Sequence, residues 1–404
     1  MIHQPPAGSK DLLPLEVLQK RWIADRLRDV FNRWGYQRII TSTLEWLDTL
    51  TAGGAIQPET VIQVEDANQG RLGLRPELTA SIARAAVTRM ASDTPPLRLY
   101  YSANVFRRAM QGYHGRQVEF YQTGVELLAA SGSLADTEIL LLLMDCVTQL
   151  GVSDWHILLG EASLTRALLA PFPAEHRMAV RQAIVTLDRL ALKALPLDDA
   201  LQERAQFLFE LRGEPEAVLA RLSQIELDPT SQQIVQGLKT LIERLRQSTP
   251  ETLPITLDLT LLEAIDYYTG IVFEVVSAHQ RQYRVLGKGG RYDALLELYD
   301  PKGQANPGIG FALNIEELHA ALLKSPQLPQ TKPINDWLVV PQTPEAEAAA
   351  FTYGQQLRQS EHLVRVEMLL DRRAPEAVRD YARTSGIRRL AWVNLDGTPE
   401  IEVL

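Results

Sequence analysis

Cysteine is almost absent from this chain of 404 residues: Cys146, in the run LLLMDCVTQL, is the only one. A disulfide within the chain is therefore excluded and a cysteine-based metal site is not expected. Cys146 itself reads as a small buried hydrophobe. Long hydrophobic runs are also missing. No stretch approaches the roughly 20 apolar residues that a bilayer-spanning helix needs, and the opening MIHQPPAGSKDLLP holds no apolar segment of signal-peptide length. We therefore expect a cytoplasmic protein without membrane contact. There is no lysine-rich tail and no arginine cluster. Lys and Arg total 41 against 50 Asp and Glu, a net charge of −9, which counts against a nucleic-acid partner. Internal repeats and low-complexity tracts are absent.

What is present is ordinary for a globular chain: 46% hydrophobic and 23% charged residues, enough for two or three domains with a large core. Leu15, Leu18, Trp22, Ile23, Leu27, Val30 and Phe31 recur at helical spacing and predict a helix over 15–34. A strand-like stretch follows at 38–43, then a strand at 60–65 turning through 68–70 into 71–74, and a helix over 79–90. Two strands at 98–106 and 118–128 flank a long polar loop, 107–117, of a kind more often functional than idle. A strongly apolar helix is predicted at 134–150, and the Leu-, Ala- and Arg-rich stretch from about 160 to 250 reads as an inserted helical subdomain. Strands resume at 255–259, 271–277 and 283–286, the glycine-bearing segment 287–293 follows, and PGIGF at 307–311 leads into a helix over 314–323. The proline-rich stretch 324–333 reads as a linker between a unit of 1–330 and a small α/β unit of 331–404.

Four segments carry candidate chemistry: LRPELTA at 74–80; FRR at 106–108 with FYQTGVE at 120–126; AIDYYTG at 264–270; and GGRYD at 289–293 with GIGFA at 308–312. Singly, each has an ordinary explanation. Glu77 at a helix start is favourable dipole chemistry, Tyr267 and Tyr268 are half-buried packing residues, and Arg107 and Arg108 belong to a solvated loop.

Together and in this order they resemble the histidyl-tRNA synthetase family over residues 5–330. The N-terminal element (Gly8, Asp11, Leu13, Pro14), the three class II signature regions and the DYYTG element are all represented. The resemblance implies an α+β fold: an antiparallel class II sheet flanked by helices, a helical insertion, and pairing into a dimer through the first motif. It also implies a histidine pocket. In that family the residues matching Glu77, Thr79 and Gln122 hold the substrate's amino group, and those matching Glu126 and Tyr267 or Tyr268 hold the imidazole. An ammonium suits a carboxylate plus neutral acceptors, and an imidazole suits a carboxylate on one side and a phenol on the other. Arg107, the first arginine of the second motif, is retained, with Arg116 further along the loop.

The ATP positions depart from the family. Glu263 stands where an arginine is expected, with Ala264 after it; Glu317 replaces the arginine of the third motif; Ala109 replaces a glutamate beside the adenine; and Val118 replaces a further arginine. Ser42 replaces the proline of the first motif. A cation about 4 Å from a phosphate is worth roughly 4 kcal/mol at an effective dielectric of 20. Inverting its sign at Glu263 and Glu317 opposes an anionic transition state, and each 1.4 kcal/mol is about tenfold in rate. Aminoacylation should be lost while the histidine pocket survives.

A synthetase-like chain with a histidine pocket and no ATP grip resembles the regulatory subunits of ATP phosphoribosyltransferase. That likeness implies a hetero-oligomer with a separate catalytic subunit, L-histidine as effector in feedback inhibition of histidine biosynthesis, and no catalytic residue, metal or cofactor of its own. An active synthetase with atypical residues and a synthetase-derived RNA-binding sensor are the alternatives. The 331–404 unit resembles a shortened anticodon-binding domain, with Arg372, Arg373, Arg388 and Arg389 on a solvated face.

Overall fold

The computed structural model describes residues 3–54, 56–66, 70–108, 117–249, 253–261, 267–279 and 282–404. Ala109, Arg116, Glu263 and Ala264 lie outside the described residues. The described chain forms two compact units, Met1–Pro329 and Gln330–Leu404.

The first unit is built on a nine-stranded sheet. Toward one side it carries the long hairpin of Leu97–Phe106 and Glu119–Leu128, paired without interruption from Leu97 with Leu128 to Phe106 with Glu119. Strands Gly308–Asn314, Gln282–Arg291, Ile271–His279 and Trp155–Glu161 continue outward, each antiparallel to the last. This is the antiparallel core expected of a class II fold. Parallel pairing is confined to Gln37–Arg38 beside Leu97–Phe106 and Ile255–Asp258 beside Trp155–Glu161, and the short edge strand Arg212–Gly213 is antiparallel to Ile255–Asp258.

Three sequence expectations change in detail. The stretch 38–43 pairs only over Gln37–Arg38, because the buried Arg75 guanidinium takes the carbonyls of Thr41 (2.8 Å) and Ser42 (3.2 Å) away from any ladder. The strand Trp155–Glu161 precedes the insertion and joins the sheet. The predicted strand near 283–286 runs on through the glycine-bearing segment, since Gly287, Gly289 and Gly290 are part of strand Gln282–Arg291. At Gly290 a Cβ would come within 2.7 Å of both the Ile271 carbonyl and the Tyr268 ring, so glycine lets neighbouring chains approach where side-chain propensity alone argues against a strand.

Helices cover both faces. On one, the Pro14–Arg33 helix buries Ile23, Leu27, Val30 and Phe31 at helical spacing against the apolar Gly132–Leu150 helix. Cys146 lies in this core. The helices Ala162–Leu169 to Pro229–Ser248 add to the same core. On the other face, helix Thr79–Thr88 and the short helix Leu295–Tyr299 cover Tyr101, Leu128 and Tyr292. A three-stranded sheet of Leu44–Trp46, Gly70–Leu74 and Ile62–Asp66 stands apart from the large one.

The second unit has a four-stranded sheet ordered Val366–Met368, Trp337–Pro341, Arg389–Val393, Pro399–Val403, the last pair antiparallel and the others parallel. Helices Glu347–Arg358 and Pro375–Thr384 supply a small core on each face.

Candidate functional site

Glu126 organises the site. Strand alternation places Gln122, Gly124 and Glu126 on one face of Glu119–Leu128. The register sets Gly310 opposite Glu126 and Gly290 opposite Gly310. A Cβ at Gly310 would collide with Glu126 Oε2, so the bare glycine is what admits the carboxyl. Glu126 is only 2% exposed. Thr79 Oγ1 donates to its Oε1 at 2.8 Å and the Tyr292 hydroxyl donates to its Oε2. Burial pushes the Glu126 carboxyl up to about 8; the Tyr292 and Thr79 hydroxyls pull it partly back, and the nearby Glu77 adds to the rise.

Four tyrosines surround it. Tyr267 and Tyr268 meet edge to face at 4.9 Å between centroids, and Tyr267 lies 5.8 Å from Tyr292. Burial drives the phenols of Tyr101, Tyr267, Tyr268 and Tyr292 upward, reinforced by Glu126 and, for the first three, by Glu77. They therefore stay protonated and able to donate near neutrality.

Glu77 spends its carboxylate on its own chain, accepting from the backbone N–H of Thr79 (2.5 Å) and Ala80 (2.9 Å) at the start of helix Thr79–Thr88. This is the ordinary dipole role weighed for it from sequence. Arg107 sits nearby, its Nε donating to the Pro76 carbonyl at 2.9 Å; burial lowers its guanidinium from the usual range and Glu77 offsets part of this. Gln122 lies two alternations from Glu126, its Oε1 buried and without a hydrogen-bond partner among the described residues. An acceptor sealed from water without a donor is costly. The fold thus groups Glu77, Thr79, Glu126, Tyr267 and Tyr268, with Gln122 on the same strand face and Arg107 beside Glu77.

Sequence reasoning missed Tyr101 and Tyr292. Tyr292 was visible within GGRYD, but only the pairing of three strands brings its hydroxyl to Glu126. It also missed Lys288, which the register places on this face, where it pairs with Glu274 at 2.6 Å.

Of the departing ATP positions, Ala109 and Glu263 lie outside the described residues. Val118 makes backbone hydrogen bonds to Gly8 and Arg107, both 2.8 Å. Glu317, in the first turn of helix Ile315–Leu322, is met by Arg284 at 2.9 Å. Its charge is balanced within the protein, so this spot offers a phosphate neither a free cation nor a bare anion. A separate groove of about 440 Å³ lies between the Pro14–Arg33 helix and the opposite face of the hairpin, lined by Tyr100, Ser102 and Tyr121. It does not open onto Glu126. Among the described residues there is no cluster of metal-ligating side chains, and no helix long and apolar enough to cross a membrane.

A large antiparallel sheet carrying a glutamate-centred pocket on one face defines a class II synthetase-like protein, and the histidyl-tRNA synthetase family model matches residues 8–318. Curated relatives called ATP phosphoribosyltransferase regulatory subunit are 58% identical in Gloeothece citriformis (strain PCC 7424), over 407 residues, and 58% in Picosynechococcus sp. (strain ATCC 27264 / PCC 7002 / PR-6), over 404, each covering 100% of both chains. A solved structure described as an ATP phosphoribosyltransferase regulatory subunit/histidyl-tRNA synthetase from Bacillus halodurans superposes with a TM-score of 0.79 at 26% identity, covering 94% of this chain and 97% of that one. The chain belongs to the ATP phosphoribosyltransferase regulatory subunits, a branch of the histidyl-tRNA synthetase-like family.

Proposed function

We infer that this chain is the non-catalytic regulatory subunit of an ATP phosphoribosyltransferase, acting in the first step of L-histidine biosynthesis and in its feedback control. Full-length identity of 58% to relatives of that name is the observation that carries this reading. The partner is a separate catalytic subunit, and the effector is L-histidine held in the Glu126 pocket. Its imidazole faces Glu126 and the tyrosines Tyr267 and Tyr268. Its amino group faces Gln122 and Thr79, with Glu77 and Arg107 at the rim. Self-pairing through the first-motif region and a cytoplasmic setting complete the reading. Aminoacylation is absent: the Arg284–Glu317 pair supports this, because it replaces a phosphate-gripping arginine with a closed ion pair.

Affinity capture of the tagged full chain from its native cells tests the assignment. A catalytic ATP phosphoribosyltransferase chain should accompany it in near-stoichiometric amount, and the purified chain should show no histidine-dependent ATP–pyrophosphate exchange. Capture without that chain, or robust exchange, contradicts it.

A further inference from the structure

Among the described residues, Glu126 is a buried carboxyl with hydroxyl partners, a nearby acid in Glu77, and on the same sheet face the Lys288–Glu274 pair, whose cation is engaged by its own carboxylate at 2.6 Å. The direct partners of Glu126 are the hydroxyls of Thr79 and Tyr292. Around it stand Tyr101 from strand Leu97–Phe106, Tyr267 and Tyr268 from the segment before strand Ile271–His279, and Glu77 from the start of helix Thr79–Thr88. Arg107 donates to the Pro76 carbonyl, and its charge acts on Tyr101. Among the described residues no lysine or arginine forms an ion pair with Glu126, whereas the equally buried Arg291 has both Asp136 (2.7 Å) and Asp293 (2.9 Å). A sealed carboxyl without a cation holds its proton. Two hydroxyls bonded to this carboxyl are set to stabilise an anion if a basic ligand takes its proton.

We propose that Glu126 hands its proton to a neutral imidazole ligand on binding, and that Tyr292 is the positioning residue that holds the carboxyl for this transfer. The proton moves from the Glu126 carboxyl to the open ring nitrogen, leaving a carboxylate–imidazolium pair; nothing else is exchanged. The empty pocket thereby avoids an uncompensated buried charge, and the filled one contains an ion pair whose anion is hydrogen-bonded by Thr79 and Tyr292. A ligand lacking a basic ring nitrogen cannot accept the proton, so selection for imidazole follows from basicity as well as shape. This rests on the histidine reading above.

Proton-linked calorimetry on the full chain tests it, titrating L-histidine in pairs of buffers that differ in ionisation enthalpy. Free imidazole titrates near pH 6.5 and the Glu126 carboxyl at about 8. The expected counts are roughly one proton released per histidine at about pH 5.3, and close to none exchanged at about pH 7.2. A pocket already ionised when empty gives the reverse, close to none at the lower pH and nearly one taken up at the higher, and that result overturns the proposal. No binding heat at any pH removes the histidine reading and this inference with it. Tyr292→Phe should weaken binding about tenfold or more, because the carboxylate loses a donor, and should move the alkaline limit of binding upward; weaker binding with an unmoved limit marks a merely structural role. A neutral acid bonded to a neutral imidazole gives the same proton counts, so infrared difference spectra of the native chain decide whether the proton crosses. A carboxylic-acid band at neutral pH should be absent from Glu126→Gln and should vanish when histidine is added to the native chain; no such band, or one that persists with histidine bound, overturns the proposal.

Discussion

Glu126 couples the pocket to stability through a single proton. Its carboxyl ordinarily titrates at 4.5 and is pushed up to about 8 in the fold. Between those values the folded chain keeps a proton that the unfolded chain has lost, so stability falls as pH rises across this window. The slope is about 1.4 kcal/mol per pH unit for one proton. Urea unfolding of the native chain and of Glu126→Gln between about pH 5 and pH 8 should differ by that slope, the native chain losing ground toward the alkaline end; parallel profiles contradict a retained proton. Glu317 is the opposite case. It and Arg284 are 38% and 34% exposed as a pair, so their mutual attraction is screened and is worth within about 1 kcal/mol. Glu317→Arg should therefore change unfolding free energy by no more than about that amount and should not create ATP–pyrophosphate exchange. Exchange arising from this one substitution would show that the rest of the nucleotide grip is intact.

Among the elements, the strands that carry the site are tied to the helices behind them by buried charge. Arg291 ends strand Gln282–Arg291 and donates through Nε and Nη2 to Asp136 on helix Gly132–Leu150. Burial outweighs this pull and leaves Asp136 above the usual carboxylate range. Removing the arginine leaves a buried acid with no cation, and a broken buried pair costs about 3–5 kcal/mol. Arg291→Ala should lower unfolding free energy by about that much, measured by denaturant titration, with histidine binding weakened because Tyr292 is the next residue. A change under about 1 kcal/mol contradicts a structural role for the pair. The elements were also where the sequence was most and least legible. Alternation and turn residues announced the long hairpin and the small C-terminal strands. The glycine-rich strand was hidden because its fitness comes from chains packed against it, which no local propensity records. Arg75, which ends the pairing after Arg38, acts across 34 residues of sequence.

Across the whole molecule, the class II architecture followed from ordered motifs, each weak alone and specific in sequence. Residues within a motif, such as Thr79 or Tyr267, were found because each motif was already in view. Tyr101 and Tyr292 were not assigned roles, because they join the pocket only through register across several strands. The division into Met1–Pro329 and Gln330–Leu404 leaves the entire Glu126 site in the first unit. On the proposed reading, the fold keeps a seat for an imidazole amino acid and carries Glu317, paired with Arg284, where the third motif would supply an arginine. Reconstitution with the catalytic ATP phosphoribosyltransferase subunit puts this most directly to the test, by following phosphoribosyl transfer as L-histidine is titrated. The account predicts a rate that rises when this chain is added and falls again with histidine. A rate indifferent to both would contradict it.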